Sequence, residues 1–320
     1  MTLAQAETAI KTIKDVFERT LSERLNLLRV SAPLFVETAS GLNDRLNGTE
    51  RPVAFEKDGV SLEIVQSLAK WKRVALHRYG MRPGEGLYTD MNAIRMDETV
   101  SPVHSLYVDQ WDWEKVITKE ERTIRTLMDT VNLIHAVLIH VRDTTEGLFG
   151  HVVPPLPEEI VFVDAHMLKK TYPKHTVKER EDRIAKDHGA VFIMGIGARD
   201  AHGPIHDGRS PDYDDWSKNG DFIVWNPVLE HALELSSMGI RVDAKVMREQ
   251  LRQSGTEDRL TLPYHRMVID DTLPQTIGGG IGQSRMCMFF LGKRHIGEVQ
   301  SAWWPEDVVK SATKDGIFLL

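Results

Sequence analysis

The stretch GGGIGQSR, residues 278–285, is where the chain declares its chemistry. A glycine run ending in polar residues suggests a nucleotide site, yet neither of the familiar glycine loops fits. A phosphate-cradling P-loop requires G-x-x-x-x-G-K-[ST], and no such run occurs. The dinucleotide fingerprint requires a third spaced glycine where this stretch has Arg285. The continuation IGQSRMCMFFLGKRHIG reads as a helix entered through the glycine run. Arg241 and Arg285 both lie close to glycines. An arginine beside a bared backbone suits a polyphosphate or an adenine ring, since guanidinium chelates phosphate and stacks. Surface arginines near turns are the plainer alternative.

Outward from that stretch, DFIVWNPVLEHA and LELSSMGIRVD read as strands, followed by a helix, VMREQLRQSG. EEIVFVDA and AVFIMGIG are strands around a charged helix, VKEREDRIAKDHG. Ile124, Leu127, Val131, Ile134, Leu138 and Val141 mark a long helix at 3/4 spacing. GLYTDMNAIRMDE and SPVHSLYVDQWDWEKV are strand-like, and SLEIVQSLAKWKRVALHRYG begins as a strand and becomes a short helix. Residues about 4–26 form a helix, and LNLLRVSAPLFVE is a strand that ends or bends at Pro33. Residues 40–58 are loop and turn material. RDAHGPIHDGRSPDYDDWSKNG, residues 199–220, is polar and without period, so a binding loop or lid is expected there. The pattern predicts an α+β fold, a mostly antiparallel sheet flanked by helices, as a single domain over residues 1–320.

With 41% hydrophobic residues there is ample core. A net charge of −7 lacks the basic field that phosphate neutralisation demands, which argues against a nucleic-acid partner. No apolar run approaches the roughly 18 residues of a membrane span, and the N-terminal helix carries charge of both signs. One cysteine excludes a disulfide framework and fits a reducing, cytoplasmic setting.

Asp221 and Glu234 lie on neighbouring strand segments, and a tight return would bring both to one Mg²⁺ ion on phosphate oxygens. The same spacing is equally that of two ordinary strand-end carboxylates. Asp44, in GLNDRL, sits in a flexible loop where a lone aspartate is usually turn chemistry. Lys70 and Lys72 flank Trp71, so at most one points inward. Alternation in YVDQWDWE puts Asp109, Trp111 and Trp113 on one face and Gln110 and Asp112 on the other. His202 and His206 have zinc-like spacing, but an intervening Gly-Pro breaks the helix that spacing presumes. Cys287, among Met286, Met288, Phe289 and Phe290, reads as a packing thiol rather than a nucleophile.

RMDE from Arg95, preceded by GLYTDMNAI, resembles motif 2 of class II aminoacyl-tRNA synthetases. GIGQSR (280–285) is similar to their motif 3, G-x-G-x-x-R, and Pro33 after an apolar strand resembles motif 1, a dimer interface in that family. HSLYVDQWDWE, VQSLAKWKR, GEGLYT, RSPDYDDW, NPVLE, ELSSMGIRVDA and PQTIGGGIGQSR look more like the ammonia-dependent asparagine synthetases, a free-standing relative, and the likeness spans nearly the whole chain. It implies a homodimer formed near Pro33 and a reaction of ATP, L-aspartate and ammonia with Mg²⁺, through a β-aspartyl adenylate. By resemblance Arg95 neutralises charge at the α-phosphate, and Arg285 grips the triphosphate. Asp221 and Glu234 hold the metal. Ser105, Ser237, Arg241, Gly280 and Gly282 serve the nucleotide. Lys72 takes the aspartate α-carboxylate and Asp112 the α-ammonium, with Ser67 and Asp214 nearby. Asp44 and Gln110 face the β-carboxyl, and Asp44 serves as base toward ammonium. A tRNA-charging enzyme and a non-catalytic binding protein are the rival readings. The first would want an anticodon module, and the second would not need Arg95 and Arg285.

Overall fold

The computed structural model describes residues 2–46, 50–149 and 154–320. The glycine run is a strand, not a loop. Thr276–Gly282 lies inside an eight-stranded sheet, between Tyr107–Val116 and His231–Arg241. Beyond Tyr107–Val116 come Gly86–Ile94 and then Leu27–Arg29. Beyond His231–Arg241 come Asp214–Asn226, Ala190–Met194 and Val161–Asp164. All inner pairings are antiparallel, and only the two edge strands run parallel to their neighbours. The α+β expectation therefore holds, but the glycines serve another purpose than a loop's. Their backbone is extended, without positive φ. What excludes a side chain is crowding. A Cβ on Gly278 would sit 2.0 Å from Glu114 Oε2, and one on Gly280 2.5 Å from Gln110 Oε1. On the opposite face, a Cβ on Gly279 would meet Met238 Cβ at 2.6 Å.

One face of the sheet carries the main core. Leu3–Leu25, Ile124–Phe149 and Gln283–Phe290 pack there, with Phe17 against Trp111 at 4.6 Å between ring centroids. Trp111 and Trp113 are both wholly buried in it, as alternation predicts. Cys287 belongs to the same core, where burial pushes its thiol up to about 12. Among the described residues Ile124–Phe149 is long and apolar enough to cross a membrane by length and composition, although no unbroken apolar run marks it. Its Leu127, Val131, Ile134, Leu138 and Val141 are buried in this core.

The other face is covered at one end by Ala69–Arg78 and at the other by Val177–His188, which leaves its middle open. Two expectations fail around this opening. Residues 199–220 are not one loop: Arg199–Asp200 pairs with Gly203–Pro204, Asp214 already opens the long strand, and Ser210 and Asp212 are wholly buried. Residues 40–58 are not all loop either, because Ala54–Lys57 pairs with Val60–Ile64 through a turn with positive φ at Asp58 and Gly59.

Candidate active site

The opening is a cavity of about 340 Å³. Every residue singled out for the site lines it: Asp44, Ser67, Lys72, Arg95, Ser105, Gln110, Asp112, Asp214, Asp221, Glu234, Ser237, Arg241, Gly280, Gly282 and Arg285. Gln110 and Asp112 face it from one strand, and Asp109, which also borders it, turns toward the helix face. There Asp109 accepts from Ser284 N (3.1 Å) and Oγ (2.8 Å), capping the helix that carries Arg285.

The deep end is a lattice of paired charges. Lys72 Nζ pairs with the Asp112 carboxylate and donates to the carbonyls of Trp113 (3.0 Å) and Gly279 (2.9 Å). Arg241 grips Glu114 through Nε (3.0 Å to Oε1) and Nη2 (2.7 Å to Oε2), and its Nη1 pairs with Asp214. Thr276 Oγ1 adds 2.7 Å to Glu114. Burial pushes the Glu114 carboxyl up, but the Arg241 fork and the Lys72 ammonium outweigh it and hold it below the usual range. Burial lowers the Lys72 ammonium. A zwitterionic amino acid presents one charge of each sign, which is what a lattice with both signs can receive. Arg241 thus sits with Lys72 and Asp214.

The outer end is arranged for anions. Arg95 Nε is buried and, among the described residues, has no hydrogen-bond partner, while Nη2 reaches only the Gln66 carbonyl at 3.5 Å. Arg285 Nη1 lies 3.6 Å from Glu234 Oε2 and donates to the Glu234 carbonyl at 3.0 Å. His104 lines the cavity beside them, pushed down to about 4 by burial and by the Arg285 charge, so it is neutral.

Between the two ends Arg209 bonds the Ser237 hydroxyl and the Asp221 carboxylate, with its Nε 3.8 Å from Asp214 Oδ2. Asp221 and Glu234 do share one spot on adjacent strands. Burial, with the Glu234 charge adding to it against the opposing pull of Arg209, lifts Asp221 to about 6. Among the described residues no cluster of three or more metal-ligating side chains exists. Two carboxylates do fit Mg²⁺, which keeps waters and takes the rest of its ligands from phosphate.

Asp44 makes the turn bond expected of a loop aspartate, yet it is buried. It is 1% exposed, its Oδ1 accepts from Leu46 N (3.0 Å), and its Oδ2 is buried with no partner among the described residues. Burial raises its carboxyl to about 6. Nor does only one lysine of the 70–72 pair point inward. Lys70 is 3% exposed, with Nζ 3.2 Å from Asp212, because both flanks of that helix are covered. Glu114, Arg209, His104 and Gln66 were not singled out from the sequence. Glu114 was within reach, being the next position on the Gln110–Asp112 face.

The family model for aspartate–ammonia ligase matches residues 4–316. The aspartate–ammonia ligase of Clostridium perfringens (strain SM101) is 54% identical over 323 residues, covering 100% of this chain and 96% of that protein. The chain belongs to the aspartate–ammonia ligase family. The ligase of Bacillus cereus (strain B4264) is also 54% identical, over 100% of this chain and 98% of its own. Asparaginyl-tRNA synthetase of Entamoeba histolytica, solved with asparaginyl-adenylate, superposes with a TM-score of 0.66 at 12% identity, covering 93% of this chain and 66% of that one. Aspartyl-tRNA synthetase of the same organism gives 0.62 at 13% identity, covering 92% and 58%. These likenesses show the fold, that of class II synthetase catalytic domains. The chain is thus a ligase that forms asparagine from aspartate and ammonia with ATP.

Proposed function

We propose that this cavity performs the ligase reaction in two steps, through a β-aspartyl adenylate. Aspartate lies at the deep end, its α-carboxylate toward Lys72 and Arg241 and its α-ammonium toward Asp112 and Asp214, with Ser67 alongside. Arg241, assigned to the nucleotide by resemblance, belongs with the amino acid in this reading, since Glu114 and Asp214 hold it there. The β-carboxylate then points to the middle, where one of its oxygens attacks the α-phosphorus of ATP in line and pyrophosphate leaves. Arg95 neutralises the charge that builds on the α-phosphoryl oxygens, and Arg285 grips the β- and γ-phosphates. Ser105, Ser237, Gly280 and Gly282 border the nucleoside. Mg²⁺, held by Asp221 and Glu234, would supply further charge neutralisation at the phosphates.

In the second step ammonium gives one proton to Asp44, leaving its electron pair on nitrogen. Ammonia attacks the acyl carbon beside Gln110, the C–O bond to AMP breaks, and nitrogen sheds a second proton to solvent. The observation that carries this reading is the sorting of the cavity into a doubly charged amino-acid end and an anion end with an unsatisfied Arg95. Aspartate, ATP, Mg²⁺ and ammonium should give asparagine, AMP and pyrophosphate in equal amounts. ADP as product would sink the reading. No nucleic acid is needed as acceptor. A single, buried cysteine also favours a cytoplasmic setting.

We further propose a homodimer through the surface around Pro33. Leu28, Leu34, Phe35 and Phe55 are each at least 40% exposed there, with Phe35 and Phe55 edge to face at 5.3 Å. Phe35→Glu should shift the mass measured by sedimentation from two chains to one. A wild-type chain that sediments as a monomer would rule the interface out.

A further inference from the structure

Among the described residues, two of the unsatisfied acceptors in the cavity wall belong to residues that a hydrogen bond joins. Gln66 is 0% exposed and lines the cavity, and its Oε1 has no partner among the described residues. Its amide orientation is fixed by its nitrogen, which donates to the backbone carbonyls of Asp44 (3.0 Å) and Glu50 (3.4 Å), so the oxygen must be the free acceptor. Asp44 Oδ2, on the residue that this amide clamps, is the second orphan. Both are held by Asn43. Its Oδ1 accepts from Gln66 N (2.9 Å) and Asp44 N (3.0 Å), and its Nδ2 donates to Glu63 (3.1 Å).

A buried acceptor without a donor costs about 1–3 kcal/mol, so a pair of them in one cavity wall points to a ligand rich in donors. Both are oxygens, one of them a carboxylate, so the ligand is a small cation. We propose that Gln66 Oε1 and Asp44 Oδ2 together form the ammonium subsite, Gln66 orienting the cation so that one N–H points at Asp44. This rests on the ligase reading above and deepens it: Gln66 selects and positions the nitrogen donor, while Asp44 takes its proton.

Gln66→Met removes the acceptor at similar length, and Gln66→Glu keeps an acceptor there and adds charge. Ammonium KM is measured beside aspartate-dependent ATP–pyrophosphate exchange, which needs no ammonium. A third measurement is turnover with hydroxylamine, which is uncharged at neutral pH. Gln66→Met should raise ammonium KM about tenfold or more, the loss of one charge-assisted hydrogen bond. Exchange should persist and hydroxylamine use should fall far less. Gln66→Glu should lower ammonium KM relative to that for hydroxylamine. If Gln66→Met and Gln66→Glu fall together on both nucleophiles, Gln66 only props the Asp44 segment and the subsite is overturned. Should Gln66→Met not fold, an unchanged ammonium-to-hydroxylamine ratio in Gln66→Glu overturns it alone. Absence of exchange in the wild-type chain would instead contradict the ligase reading itself.

Discussion

Arg95→Ala should slow aspartate-dependent ATP–pyrophosphate exchange by about 10²–10³, the usual effect of removing one preorganised donor from a developing anion. The structure explains why the loss should fall on rate more than on stability. Arg95 makes one long contact to the Gln66 carbonyl, and its Nε has no partner among the described residues. Little folding energy is tied up in its bonds, so the thermal midpoint should stay near that of the wild type. Arg241→Ala would differ in kind, because the buried Glu114 and Asp214 would each lose their nearest cationic partner, and such breaks are strongly destabilising. Arg95→Ala with unchanged exchange would mean that the α-phosphate lies elsewhere.

Asp44→Asn separates the two half-reactions. Amide formation should fall by about 10²–10⁴, the range for a positioned general base, while exchange falls far less. The pH dependence follows from the same group. A base must be unprotonated, and burial lifts Asp44 to about 6, so amide formation should be lost as pH falls through about 6. Exchange does not use that base, so its own fall with pH, through Asp221, which is also lifted to about 6, serves as the control. In Asp44→Asn the residual amide activity should follow the exchange profile. Equal losses in both half-reactions, or a limb beyond that of exchange that survives the substitution, would remove Asp44 from the role of base.

Local patterns carried much of this molecule. Period-two alternation in YVDQWDWE separated the tryptophans of the core from Gln110 and Asp112 of the cavity, because a strand offers its two faces to different surroundings. Long amphipathic helices were legible for the same reason. What escaped depended on neighbours distant in sequence. Lys70 and Lys72 face opposite ways, as spacing required, but both flanks of their helix are covered, by Asp212 on one side and Asp112 on the other. The glycine run looked like a loop because its need for glycine comes from the Glu114, Gln110 and Met238 side chains, which press on it from adjacent strands. Asp44 does make a local turn bond to Leu46 N, but nothing local shows the Asn43 clamp or the burial. The Asp58–Gly59 turn, by contrast, is an ordinary hairpin signal at the end of residues 40–58. Arg209 sits in a polar stretch without period, and only the folded hairpin brings Asp221 and Ser237 to it.

The adenylate is the centre of the account, and the fate of the aspartate β-carboxylate oxygens tests it most directly. Aspartate carrying a heavy oxygen isotope in both β-carboxylate oxygens is turned over with ATP, Mg²⁺ and ammonium, and the products are weighed by mass spectrometry. If that carboxylate attacks the α-phosphorus, each AMP gains one heavy oxygen, each asparagine keeps one, and the pyrophosphate carries none. Heavy oxygen in inorganic phosphate or pyrophosphate, with unlabelled AMP or ADP, would contradict the account.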